Sequence, residues 1–217
     1  ILKVKEPDKE KLYEIFKDLE FSKFIEEITP QNVSLDKTYE IILTNEQLEN
    51  TIIEIEKSGK LSIDLETTSL NPIDATIVGI SLSTCVEKKA YYIPLAHNYL
   101  GVPAQLDLLD TLKKLTPIIE SEKIEKYGQN IKYDYSVLQQ YGITIKNIKF
   151  DSMIADYLIN PARRQHNLSV IAQEYLGYKM TEFDELFSSK EKNFALLDIE
   201  KACQYSCDDA LVVYSVK

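Results

Sequence analysis

Tryptophan is absent from this 217-residue sequence, and histidine, methionine, cysteine, glycine and proline are scarce, at two, two, three, six and seven. So little glycine and proline, without a repeat, excludes collagen-like, low-complexity and solenoid chains. Three cysteines, Cys85, Cys203 and Cys207, form neither an even disulfide framework nor a CxxC pair. No zinc site is expected from them, and a reducing compartment suits the chain. Cys203 and Cys207 stand four apart on an expected helix, where packing is the ordinary reading. No apolar run approaches the roughly 20 residues that cross a membrane, so a soluble protein with no membrane partner is expected. Arginine is nearly missing too: Arg163 and Arg164 are the whole supply, so bidentate phosphate clamps are few. Acids outnumber bases 35 to 25, a net charge of -10, which argues against a protein gripping duplex backbone over many phosphates. Any nucleic-acid contact has to be short or metal-assisted.

What is present is a 44% hydrophobic chain, long enough to bury a full core. It opens at Ile1 on a charged stretch with no apolar signal core, so an excised piece of a larger parent is expected. Residues 1–38 are highly charged, run through a helical pattern from Lys9 to Phe24, and reach a turn at Thr29-Pro30-Gln31-Asn32, with a boundary near Asp36. From Tyr39 the pattern changes. Tyr39 to Leu43 reads as a strand; Thr44 with Gln47 is a capping box opening a helix that closes at Gly59. Leu61 to Leu65, Thr76 to Thr84 and Ala90 to Pro94 read as strands, with Asn71-Pro72 turning between the first two. A short strand is expected at Lys123 to Tyr127. Helices are expected at Leu106 to Glu120, Asn130 to Tyr141, Asp151 to Ile159, Leu168 to Leu176 and Leu197 to Val216. The fold class is α/β, a mixed β-sheet flanked by α-helices.

Three segments carry acids where chemistry could use them. In Ser62-Ile63-Asp64-Leu65-Glu66, two acids interrupt an apolar strand at i and i+2, which puts both carboxylates on one face. In Gly128-Gln129-Asn130-Ile131-Lys132-Tyr133-Asp134, a turn enters a helix, and the i, i+4 spacing predicts that Asn130 and Asp134 share a helical face. In Tyr205-Ser206-Cys207-Asp208-Asp209, the same spacing sets the Tyr205 hydroxyl beside Asp209. Each alone has an ordinary reading: an edge strand's solvent face, a helix dipole and a surface tyrosine.

Together, in this order, the three segments resemble the motifs of the ribonuclease H-like 3′-to-5′ exonucleases, in the subclass with a tyrosine and four acids. Tyr127 through Gly142, Phe150-Asp151-Ser152-Met153 and Tyr205 through Asp209 resemble more closely the proofreading domain of bacterial DNA polymerase I, family A. Glu6-Pro7-Asp8 through Leu19-Glu20-Phe21 resembles the segment that joins the 5′-nuclease side to that domain. The resemblance implies residues 1–38 as a connecting segment and residues 39–217 as the exonuclease domain. A polymerase domain in cis and a bacterial cytoplasm, or an organelle with a bacterial-type polymerase, follow from it.

It also implies the chemistry. Asp64, Glu66, Asp134, Tyr205 and Asp209 would be catalytic. Two divalent cations, Mg²⁺ or Mn²⁺, would be held by the four acids: one by Asp64, Glu66 and Asp209, the second by Asp64, with Asp134 acting through water. Tyr205 would orient the attacking water, since an ordinary tyrosine pKa of about 10 makes a poor base. The single-stranded 3′ end of DNA would meet Thr67, Leu70 as a wedge between the last bases, Gln129, Asn130, Tyr133 and, by stacking, Phe183. Ordinary readings stand beside these: Leu70 as core, Asn130 as a helix cap, Tyr133 as a half-buried ring. For Arg163 and Arg164, a phosphate contact stands beside solvated loop charge. Two alternatives share the motifs: a ribonuclease D-like RNA exonuclease, and a catalytically silent spacer domain of a polymerase.

Overall fold

Thr44 accepts the Gln47 backbone N–H while the Gln47 side chain returns to the Thr44 backbone, so the first helix of the sheet-bearing region starts where the capping box says it must. Gly59, at φ 67°, ends it in the left-handed region that glycine enters without strain. The computed structural model describes residues 7–19, 21, 24, 37–85, 88–187 and 192–217. Their elements are helices α1 (Lys9–Asp18), α2 (Asn45–Ser58), α3 (Leu108–Ile119), α4 (Lys132–Gln139), α5 (Ser152–Ile159), α6 (Leu168–Leu176) and α7 (Ile199–Ser215). The strands are β1 (Thr38–Ile41), β2 (Lys60–Thr67), β3 (Ile77–Ser83), β4 (Lys89–Pro94), β5 (Glu125–Gly128) and β6 (Ile148–Asp151), and two 3₁₀ turns lie at Phe183–Leu186 and Phe194–Leu196. The expected turn at residues 29–32 and the boundary near Asp36 fall outside the described residues. None of the described helices is long and apolar enough to cross a membrane.

The six strands form one mixed sheet in the order β1-β4-β3-β2-β5-β6. β3 runs antiparallel to both β2 and β4, while β1, β5 and β6 each run parallel to their neighbours. This is the expected α/β architecture with one addition, the edge strand β6. The strand period of two separates the faces of β2. Leu61, Ile63 and Leu65 join Ile80, Leu82, Tyr91 and Ile93 in a core closed by Leu48 and Ile55 of α2, Leu112 and Leu115 of α3, and Val137 and Leu138 of α4.

The opposite face is made of small and polar residues. Ser62, Asp64 and Glu66 stand directly across from Ser83, Ser81 and Gly79 of β3. Against them packs α7, whose buried residues include Ala202, Cys203, Ser206, Cys207 and Ala210. Small side chains on both partners let the helix approach the strands closely. Cys203 and Cys207 are buried free thiols, Sγ to Sγ 3.7 Å, within this packing. The register of β2 against β3 shifts between Glu66 and Thr67, at the end where the acids sit. Such irregularities re-aim side chains.

Candidate active site

Asp64 and Glu66 leave β2 on the α7 side, and Asp209 reaches them from the helix. One carboxylate oxygen from each lies within 4.8 Å of the others. Asp134, in the first turn of α4, is buried beside them, and its Oδ1 accepts the Leu65 backbone N–H at 3.0 Å. It stands outside the three-acid cluster but lines the same cleft. Burial pushes the Asp64 carboxyl up to about 6. Burial, with the Asp64 charge second, pushes Glu66 up to about 8. Asp134 and Asp209 are raised by burial and then by Asp64. Among the described residues no lysine, arginine or histidine forms an ion pair with any of the four. Clustered oxygen donors in a low dielectric, with no counter-charge among the described residues, are what a hard divalent cation satisfies.

The surrounding cleft encloses about 1020 Å³. Thr67, Leu70, Gln129, Asn130, Tyr133 and Phe183 all line it, as does Tyr205. Leu70 is not core: it is 97% exposed, on the loop after β2. That loop is tied down by Tyr133, whose hydroxyl meets Thr67 Oγ1 at 2.5 Å and donates to the Ser69 carbonyl. Tyr133 is a half-buried ring, with its hydroxyl spent on the loop. Gln129 spends its amide within the protein, donating to the His166 carbonyl at 2.8 Å and accepting the Ser152 hydroxyl. Tyr205 packs its ring edgewise on Phe183, centroids 6.2 Å apart, and beside Phe194. Burial first, then the Asp209 charge, raises the Tyr205 hydroxyl far above its ordinary pKa, so it stays protonated.

Three expectations need correction. Asn130 and Asp134 do not share a helical face, because α4 begins only at Lys132 and Asn130 stands before it with φ 54°. Nor does Asn130 cap the helix, which has no side-chain cap at its own N-terminus. Asp151 does that work from β6. Its carboxylate accepts the backbone N–H groups of Asn130 (3.2 Å) and Ile131 (2.9 Å) while also capping α5 through Ile154 (3.1 Å). Arg163 is neither a solvated charge nor part of the cleft lining: it pairs with Asp156 at 3.0 Å and with Glu174. Asp156 is buried and also accepts from His166 and from the Tyr175 hydroxyl, which stitches down the loop before α6.

A second brace carries no signal in the sequence. Tyr92 crosses Gly79 so closely that a Cβ there would lie 2.1 Å from its hydroxyl. The hydroxyl meets His97 Nε2 at 2.7 Å, and His97 Nδ1 meets the Leu197 carbonyl at 2.9 Å. Only a protonated Nδ1 can serve that carbonyl, so Nε2 accepts from Tyr92. Burial lowers the His97 pKa, which keeps the ring neutral. This chain of contacts ties β3 and β4 to Leu197, at the approach to α7.

A family model described as 3′-5′ exonuclease matches residues 39–217. The chain belongs to this family. The exonuclease is 30% identical over 223 residues to DNA polymerase I of Pseudomonas aeruginosa, a match covering 94% of this chain and 24% of that one. The chain thus spans about a quarter of that relative's length. It corresponds to the 3′-5′ exonuclease domain of DNA polymerase I, a nuclease and hydrolase of a kind that uses divalent metals. Solved structures share its ribonuclease H-like fold. Trypanosoma brucei RNase D matches with TM-score 0.67 at 12% identity, over 84% of this chain and 64% of that one. Brucella melitensis NrnC with bound Mg²⁺ matches with TM-score 0.56 at 17% identity, over 84% and 78%. Their low identity speaks to fold alone.

Proposed function

We infer that the exonuclease removes nucleotides from the single-stranded 3′ end of DNA, releasing nucleoside 5′-monophosphates, as the proofreading partner of a polymerase domain in the same chain. The observation that carries this reading is the convergence of Asp64, Glu66 and Asp209 within 4.8 Å, beside Asp134, in a cleft edged by the exposed Leu70. Asp64, Glu66 and Asp209 are the direct ligand set for a cation, Mg²⁺ or Mn²⁺. Bound divalent cations supply Lewis-acid activation of the phosphodiester and neutralise charge developing on the leaving oxygen.

The chain's own residues supply position. Asp134, its Oδ1 held by the Leu65 N–H, acts through a water. Tyr205, protonated at neutral pH, orients the attacking water as a hydrogen-bonding group and not as a base. Water adds to the terminal phosphorus, the bond from phosphorus to the penultimate 3′ oxygen breaks, and that oxygen takes a proton. Leu70 separates the last bases by contact that any sequence tolerates. Thr67 and Tyr133 hold its loop, while Gln129 and Asn130 shape the facing wall and Phe183 backs Tyr205.

Residues 1–38 are assigned as the connecting segment, residues 39–217 as the catalytic domain, and the bacterial cytoplasm as the location. The -10 charge fits a site that takes a few unpaired nucleotides and leaves duplex to another domain. The test is degradation of a 5′-labelled single-stranded DNA with Mg²⁺, with Mn²⁺ and with chelator, beside Asp64→Ala and an RNA of the same sequence. A metal-dependent ladder shortening from the 3′ end, lost in the variant and weak on RNA, is expected. Faster loss of RNA would transfer the reading to a ribonuclease D-like activity, and no cleavage with either metal would favour a silent spacer.

A further inference from the structure

Serine and threonine inside helices ordinarily bond back to the carbonyl one turn earlier. Among the described residues five do so: Thr51 to Gln47 (3.0 Å), Ser58 to Ile55 (2.9 Å), Thr116 to Leu112 (2.7 Å), Ser136 to Lys132 (2.8 Å) and Ser215 to Leu211 (3.2 Å). Ser206 does not. Fully buried on α7, it donates across the helix–sheet interface to Glu66 Oε1 at 2.6 Å. It stands three residues before Asp209, so both lie on the helix face turned to β2. One helix therefore contributes a carboxylate to the cluster and aims another that comes from the sheet.

We propose that Ser206 is a positioning residue for the cation site, its hydroxyl fixing the plane of the Glu66 carboxylate so that the remaining oxygen lone pairs face Asp64 and Asp209. A glutamate side chain has three torsions, and the strand fixes none beyond its Cβ. Without a donor at Oε1 the carboxylate must be oriented by the cation itself, at a cost in affinity. Partners of metal ligands that act this way are worth about 10- to 100-fold in metal affinity. Close packing of α7 on the strand requires only that residue 206 be small, which alanine satisfies as well as serine. The hydroxyl and the size of the residue can therefore be separated by experiment.

This inference rests on the cation-dependent reading above, and its test keeps the two apart. Mn²⁺ binding to the parent, Ser206→Ala and Ser215→Ala is measured by the loss of the free-ion electron paramagnetic signal, with thermal melts and the Mn²⁺ dependence of 3′-end cleavage alongside. The parent and Ser215→Ala should bind alike. Ser206→Ala should bind at least about 10-fold more weakly, with the half-saturating Mn²⁺ for cleavage shifted equally and the maximal rate largely restored at saturating metal. Parent-like affinity in folded Ser206→Ala overturns the inference while leaving the exonuclease reading intact. A maximal rate that falls with an unmoved metal curve also overturns it, because that is a packing effect. If the parent itself takes up no Mn²⁺, the exonuclease reading fails and this inference with it. Should Ser206→Ala fold poorly, Ser206→Cys, similar in size with a weak donor, must still bind several-fold more weakly; parent-like affinity there sinks the idea equally.

Discussion

The two faces of β2 carry alternate residues of one eight-residue strand and are built on opposite rules. Leu61, Ile63 and Leu65 face large aliphatic side chains from three helices, and what they do is exclude water. Ser62, Asp64 and Glu66 face α7 across small residues, and what they do is let a helix come near enough to place Asp209 and Ser206 beside the acids. One face holds the strand; the other presents it. The difference teaches that the acids do not interrupt the apolar strand at random: every second residue is free of core duty and available for chemistry.

Changes on the two faces should therefore separate stability from activity. The largest effect is expected from Ile63→Ala, which empties a fully buried position on the core face. Urea unfolding should show a loss of about 2–5 kcal/mol, with the cleavage rate per folded molecule nearly kept. A comparable loss of activity in folded protein would break the comparison.

Gly79→Ala tests the opposite face. The new Cβ would meet the Tyr92 hydroxyl at 2.1 Å and push it off His97. The expected cost is about 1–3 kcal/mol, and here activity should fall too, because the same contacts tie the sheet to Leu197, at the approach to α7.

Next comes the charge of the acids themselves. Glu66 titrates higher in the folded state, at about 8, than the ordinary 4.5. The folded protein therefore holds a proton that the unfolded chain releases, and metal-free stability should decline as pH rises from about 4.5 to about 8. Glu66→Gln should flatten that decline and raise metal-free stability at pH 8 by on the order of 1 kcal/mol. Added Mg²⁺ or Mn²⁺ should stabilise the parent at pH 8 and not the variant. Melts in chelator and in metal across this range decide it. The smallest change in stability, within about 0.5 kcal/mol, is expected from Leu70→Ala, since that side chain is almost wholly exposed. Its cleavage of single-stranded 3′ ends should nevertheless drop, and an unchanged rate would remove Leu70 from the substrate path.

Much of this was legible in the sequence because it is written locally. The capping box at Thr44, the strand alternation around Asp64 and the helical i, i+4 spacing of Tyr205 and Asp209 all involve neighbours within a turn. The edge strand β6 is not legible there, for the converse reason. Four residues, Ile148 to Asp151, half exposed and with a lysine among them, carry no periodic signal, and they become a strand only by pairing with β5. Spacing alone places Asn130 in a helix, whereas its backbone N–H is held by the Asp151 carboxylate 21 residues away. Ser206 gave no signal whatever, since a serine between a tyrosine and a cysteine reads as filler until the strand opposite is known. Distance along the chain, more than residue type, separates what was readable from what was not.

Asp208 and Asp209 are adjacent on α7 yet belong to different circuits. Asp208 is neutralised internally: Lys37 pairs with it, and the hydroxyls of Tyr39 (2.9 Å) and Tyr178 (2.7 Å) donate to it. Asp209 has no lysine partner among the described residues and, beside the Tyr205 hydroxyl, turns to the acids of β2. Rotation of about 100° between successive helix positions is all that distinguishes them. Insertion or deletion of one residue between Ile199 and Tyr205 would turn α7 by that angle, pulling one acid off its lysine and the other out of the cleft together. The helix thus has a single workable rotational setting, and tolerance to length changes should be lower along its first two turns than anywhere in the loop that precedes it.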